Sequence, residues 1–331
     1  MSSKTFALCS IMSLSAGMSI AEAPQVAVDI APVHSLVARV MEGVGTPDLI
    51  IPAGASPHEY NLRPSEAASL QNADVVFWVS ASLTPWMKNA IETLAEDAVV
   101  TELFEVEGTL KLPFRQGVLF EEHDDHDGHD DHDGHDDHEG HDDHEGHDDH
   151  EAHDDHEGHN HDGDDPHAWL SPDNAAVWLN AIAQTLSKVD PDNASQYYLN
   201  AAAGQKELRE LSTKINGILA PFEGRNFIVF HDAYQYFEKA FDFYAAGAIS
   251  LSDARDPSPA RIAKIQNRIN EQNISCILSE PQFNPNIVAA VASGSDVKMG
   301  ILDPLGVGLE LGETLYFQTL HNLAKALSDC L

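Results

Sequence analysis

Three histidines of this 331-residue chain stand where a side chain can be held out into a cleft: His58, His167 and His231. His58 lies in GASPHEY at 54–60, just after a short apolar run at 48–51. His167 lies in DPHAWLSP at 165–172, His231 follows the apolar run 227–230, and Asp303 follows the run 297–302. If these runs are strands, they deliver candidate ligands at their carboxyl ends, where open α/β sheets collect what they bind. Three neutral imidazoles and one carboxylate suit a four-coordinate ion of borderline softness, with Zn2+ the first choice. Each imidazole must be deprotonated to bind, so such a site weakens below about pH 6. Taken singly, each His reads more readily as an ordinary hydrogen-bonded residue. The same imidazoles with a bound water would also suit a zinc hydrolase. Against that, the chain has no H-E-x-x-H helix and no G-x-S-x-G elbow, and Asp303 would close the position that catalysis needs open.

A second set of imidazoles is packed into a repeat of His-Asp-Asp-His-(Asp/Glu)-(Gly/Ala) at 121–165. It comprises His123, His126, His129, His132, His135, His138, His141, His144, His147, His150, His153, His156, His159 and His161. With almost no aliphatic residue to bury, this tract is expected to be disordered in the absence of metal. Its His density predicts weak binding of several Zn2+ ions, which would raise the local concentration near the cleft or report on it. The plain alternative is a solvated acidic segment with incidental affinity.

The net charge is −36, but 23 of the acidic residues lie in 121–165, which has no Lys or Arg. The remainder carries 31 acidic against 18 basic residues, a net −13. Such a field repels nucleic acid and anionic lipid and attracts cations. At the start, Lys4, the apolar run 6–16 and the segment ending in Ser19-Ile20-Ala21, with small residues on either side of Ile20, read as a signal peptide, 1–21. Cleavage after Ala21 is preferred to cleavage after Ala23, which would leave Pro24 just past the scissile bond. The run is too short to span a bilayer, and Cys9 lacks the small-residue triplet that precedes a lipidated Cys, so we expect no membrane anchor. Export leaves Cys276 and Cys330, an even pair for which a disulfide is the first reading and two unpaired buried thiols the second.

The elements that must hold these residues form two halves. Strand patterns at 25–29, 48–51 and 75–79 alternate with helical ones at 34–41, 64–70 and 84–94. In the second half, strands at 227–230, 274–279 and 297–302 alternate with helices at 234–241, 259–273, 285–292 and 314–328. That alternation predicts doubly wound α/β lobes with parallel sheets, each lobe with its own core. Between them, 193–219 reads as one amphipathic helix, with Leu199, Leu208, Leu211, Ile215 and Leu219 on its apolar stripe and Pro221 closing it. We therefore expect a first lobe at 22–192 carrying the tract, a rigid connecting helix at 193–220 and a second lobe at 221–331. A stiff connector argues against wide hinge opening. His34 is expected to begin a helix as a cap or hydrogen-bonding residue, His321 to be ordinary, and Glu280 to support the site from behind.

The runs GASPHEYNLRPS at 54–65, DPHAWLSP at 165–172, FHDAYQYF at 230–237 and LDPLG at 302–306 resemble, in order, the metal-binding segments of the ZnuA family. These are periplasmic zinc-binding subunits of ABC importers in the cluster A-I group, and the resemblance runs from about residue 25 to the C-terminus. It implies that His58, His167 and His231 are the imidazole ligands and that Asp303 stands at the family's Asp position, where water or a tract His is the alternative. It also implies Zn2+ as the transported ligand, a membrane permease as partner, residence in the periplasm and no chemistry on the cargo. The pairing of Cys276 with Cys330 is similar to that of zinc-specific members. We expect a monomer. Members that take Mn2+ or Fe2+ put a Glu where His231 stands, so a manganese or iron importer is the runner-up, with a periplasmic zinc buffer behind it.

Overall fold

Short valine-rich runs flanked by helical patterns form two four-stranded sheets in which every strand pairing is parallel. This computed structural model describes residues 23–115, 120, 163–250 and 257–331. The expected signal peptide and the imidazoles from His123 to His161 lie outside the described residues.

The first sheet comprises β1 (Val26–Val28), β2 (Asp48–Leu49), β3 (Val75–Trp78) and β4 (Val99–Glu102), in the order β2-β1-β3-β4. The second comprises β5 (Phe227–His231), β6 (Ala248–Ser250), β7 (Cys276–Ser279) and β8 (Lys298–Ile301), in the order β6-β5-β7-β8. The central strands β1, β3 and β5 are buried along their whole length, as continuous apolar runs in covered parallel sheets should be. β4 and β6 were not expected. One is a half-exposed edge of four residues and the other has only three, too little for a period to register.

The crossovers and covering layers are α1 (Ala31–Val40), α2 (Pro64–Gln71), α3 (Pro85–Leu94), α4 (Pro172–Val189), α5 (Ala194–Leu219), α6 (Gln235–Phe241), α7 (Pro259–Glu271), α8 (Pro285–Ala292) and α9 (Leu315–Cys330). All ten residues of α1 are buried, and the helix starts at Ala31, so His34 is its fourth residue and not its beginning. The sequence reading also passed over α4, although its signals are plain. Ser171 caps it by accepting from the Asn174 amide, Pro172 opens it, and Ala175, Trp178, Leu179, Ile182, Ala183 and Leu186 face inward.

At 26 residues, α5 is about 39 Å long. It is more than a connector, because it packs along α4 and is crossed by α1 and α9. Its buried stripe is Tyr197, Ala201, Gly204, Leu208, Ile215 and Leu219. Leu199, expected on that stripe, is 66% exposed, because Tyr197 and Ala201 set the helix phase. Gly204 permits the close approach to α4, since a Cβ there would sit 3.0 Å from Leu179 Cδ1.

The expectation of a separate core in each lobe needs correction. One apolar cluster runs from the first sheet through α1, α4, α5 and α9 to the inner side of the second sheet, joining Val26, Trp178, Leu208, Leu278 and Leu323. Among the described residues, the outer side of the second sheet has a cluster of its own, which includes Phe230, Ile249, Ile265 and Val288. The shared core follows from α9, which belongs to the second half by sequence but packs on α1 and α5. Cys330 at the end of α9 is disulfide-bonded to Cys276 at the start of β7, with Cα atoms 5.8 Å apart. Among the described residues no helix is long and apolar enough to cross a membrane.

Candidate metal centre

His58 is carried on the loop that follows β2, and local bonds hold that loop in shape. Trp86 of α3 donates its indole N–H to Pro57 O at 2.9 Å. Tyr60 donates to Glu66 at 2.7 Å, and the same carboxylate takes the Arg63 amide at the start of α2 at 2.7 Å. His167 stands immediately before a single 3₁₀ turn, Ala168–Leu170. Trp169 in that turn donates to Pro304 O at 3.0 Å, and Tyr316 of α9 donates to Trp169 O at 2.6 Å. His231 is the last residue of β5.

These three histidines, from three distant parts of the chain, converge. One nitrogen of each lies within 4.8 Å of the others. The His167 ring centroid is 5.4 Å from that of His58 and 5.2 Å from that of His231. His167 and His231 are buried, and His58 is partly so. The remaining space beside them is about 20 Å³, walled by Trp169, Phe283, Pro304 and Leu305. That is room for a single ion or water beside the three rings.

Two of the rings are oriented from behind by carboxylates. His167 Nδ1 lies 2.6 Å from Asp165 Oδ1, which also accepts the His167 amide. His231 Nδ1 lies 2.6 Å from Glu280 Oε1. A carboxylate accepts, so each Nδ1 carries the proton and each Nε2 is left as a lone pair facing the group. The carboxylate–imidazole–metal arrangement also raises ligand basicity. Tyr234 donates its hydroxyl to Leu302 O at 3.2 Å, and burial followed by the charge of Glu280 pushes its phenol well above the usual range, so it remains a donor. The supporting role expected of Glu280 is therefore visible, whereas that of Asp165 was missed. Its signal was an acid two residues before a candidate ligand.

Asp303 is not a member of the 4.8 Å group. Its Oδ1 accepts the amides of Leu305 and Gly306, and Oδ2 accepts that of Val307. Burial pushes its carboxyl up, against the pull of those amides. Gly306 completes the turn at φ 75°, where a Cβ would fall 2.7 Å from Thr319 Oγ1. His34 Nε2 lies 3.0 Å from Pro47 O and His321 is on α9, so neither joins the group. Three nitrogen ligands with an open or carboxylate-filled fourth position suit Zn2+ better than the harder, oxygen-preferring Mn2+.

Known proteins resemble this chain along nearly its whole length. A protein of Brucella abortus (strain 2308) named high-affinity zinc uptake system protein ZnuA is 46% identical over 316 residues, covering 95% of this chain and 94% of its own. A protein of the same name from Paracoccus denitrificans is 46% identical over 312 residues, covering 94% and 93%. Among solved structures, a crystal structure of ZnuA superposes with a TM-score of 0.71 at 20% identity, covering 93% of this chain and 99% of that one. The binding protein FpvC of Pseudomonas aeruginosa, solved with Mn2+, superposes at 0.70 and 20% identity, covering 93% and 98%. At such identity these superpositions establish the two-lobed fold. The family model for ZnuA, zinc-uptake complex component A periplasmic, matches residues 26–330, and with relatives this similar along nearly the whole chain the protein belongs to the ZnuA family.

Proposed function

We propose that this chain captures Zn2+ between its two lobes with His58, His167 and His231 and hands it to the membrane permease of an ABC importer. The observation that carries the reading is the convergence of three imidazoles in a space fit for one ion. The chain acts on its cargo by binding and release, without chemistry. It works in the periplasm as a monomer free of the membrane, once residues 1–21 are removed. Asp303 is the candidate for the fourth ligand, with water or a tract imidazole as the other occupant. The His-rich tract acts as an auxiliary zinc collector or sensor.

The test is calorimetric titration of Zn2+ and Mn2+ into the mature chain, with and without 121–162, and into His58→Ala, His167→Ala, His231→Ala and Asp303→Ala variants. One tight Zn2+ site that rejects Mn2+, survives loss of the tract and disappears in each His variant is the expected result. Tight binding that disappears with the tract would make the chain a buffer, and tight Mn2+ binding would make it a manganese importer subunit. An Asp303→Ala variant of unchanged affinity would assign the fourth position to water or a tract imidazole, and unchanged affinity of that variant without 121–162 would leave water.

A further inference from the structure

The two arms that lead into and out of the His-rich insertion lie side by side. Pro113 forms an antiparallel bridge with Asp164, the Asp165 amide donates to Leu112 O at 2.8 Å, and the Phe114 amide donates to Gly163 O at 3.3 Å. The tract was expected to extend through Asp165, but Asp164 and Asp165 belong to this folded stem. Both arms are part of the first lobe's chain, yet side chains of the second lobe bond to each of them.

Tyr236 of α6 donates its hydroxyl to Asp165 O at 2.7 Å and accepts the Leu112 amide at 3.0 Å. Its neighbour Gln235 donates to Pro113 O at 3.0 Å and to Asp165 Oδ2 at 2.7 Å. Arg115 reaches further across. Its Nη1 donates to Glu238 at 2.6 Å, its Nε donates to Asp232 at 2.9 Å, and its Nη2 also bonds Asp232. Asp232 and Glu238 are 5% and 1% exposed at the side chain, so the two buried carboxylates share the guanidinium as their counter-charge. A guanidinium fork can hold both in fixed directions, which an ammonium cannot.

This network joins the two ligands by a second route. Asp232 directly follows His231, and Asp165 bonds the His167 ring. We propose that the stem of the insertion is an interlobe clasp, with Arg115 the positioning residue that sets His167 against His231 and thereby governs how slowly Zn2+ leaves. The proposal rests on the reading of those two histidines as zinc ligands. Truncating one member of a buried charge pair that bridges two bodies acts mainly on dissociation.

The experiment is zinc release from the full mature chain into excess chelator, followed by stopped flow. The slow phase is assigned to the cleft by its loss in His231→Ala. Arg115→Met is expected to keep the slow-phase amplitude and accelerate it about tenfold, the scale of supporting contacts around metal ligands. Arg115→Lys should recover only part of the rate, and Tyr236→Phe, which removes both stem bonds without changing shape, should accelerate release less. A folded Arg115→Met protein releasing zinc at the wild-type rate overturns the clasp. If that variant fails to fold, a wild-type rate in Tyr236→Phe overturns it instead. A slow phase that persists in His231→Ala would overturn the ligand assignment and the clasp with it, a pattern distinct from either rate result.

Discussion

The Nε2 atoms of His167 and His231 face each other 3.4 Å apart, while each ring's Nδ1 is 2.6 Å from a buried carboxylate oxygen. Two lone pairs held face to face repel, and a cation between them, a metal ion or a proton, relieves that repulsion. Replacing Asp165 with Asn keeps an oxygen that accepts from His167 Nδ1 but removes the negative charge that makes the imidazole a stronger ligand. We expect Asp165→Asn to weaken Zn2+ binding about 10–100-fold, with the secondary structure unchanged. Calorimetry alongside circular dichroism checks this, and an unaltered affinity would rule out a contribution from the Asp165 charge.

Zinc capture should be acid-sensitive. Protons compete with the metal for all three imidazoles, and free imidazole titrates near pH 6.5. Between about pH 7.5 and pH 5.5 the affinity of the cleft site should fall by about tenfold or more. Competition with a chromophoric chelator at both pH values measures the change. A flat profile would mean that the imidazoles are not the ligands.

The Cys276–Cys330 bond closes a sequence separation of 54 residues and ties β7 to the end of α9. Because α9 packs on α1 and α5, the bond restrains the element that joins the two halves of the core. Changing both Cys residues to Ser should destabilise the fold by about 2–4 kcal/mol. The site lies at the other end of β5 and β7, so zinc affinity should change little. Denaturant unfolding with and without zinc separates the two effects.

His34 adds a pH term to stability that does not involve the cleft group. Burial lowers its pKa against the pull of Pro47 O and of Asp48, and its Nδ1 has no hydrogen-bond partner. The folded ring therefore resists a proton that the unfolded chain accepts below about pH 6.5. With the pKa depressed in the native state, the stabilisation is present above that pH and is lost as pH falls through the folded value. A His34→Gln variant should thus lose less stability than wild type between about pH 7.5 and pH 5.5, measured by denaturant melts with chelator present. Equal losses would remove His34 from the account.

Much of this protein was legible without coordinates, because local order carries local information. The alternation of valine-rich runs with helical periods specified parallel sheets, and His58, His167 and His231 stood out at strand ends and in loops. The Cys pair was readable from its parity, and Glu280 from its position after a strand. Apart from α4, whose cap and period were plain and were passed over, the errors lie where local signals are too short or where contacts join distant segments. β6 offers three residues, and the phase of α5 was set by Tyr197 and Ala201 packing on other helices rather than by its leucines. Only the tertiary structure merged the two cores through α9, brought Asp165 behind His167, and set Arg115 between Asp232 and Glu238, 117 and 123 residues away. A side chain's type fixes what it can bind, but the partner that desolvates and orients it is supplied by packing, which no periodicity along the chain encodes.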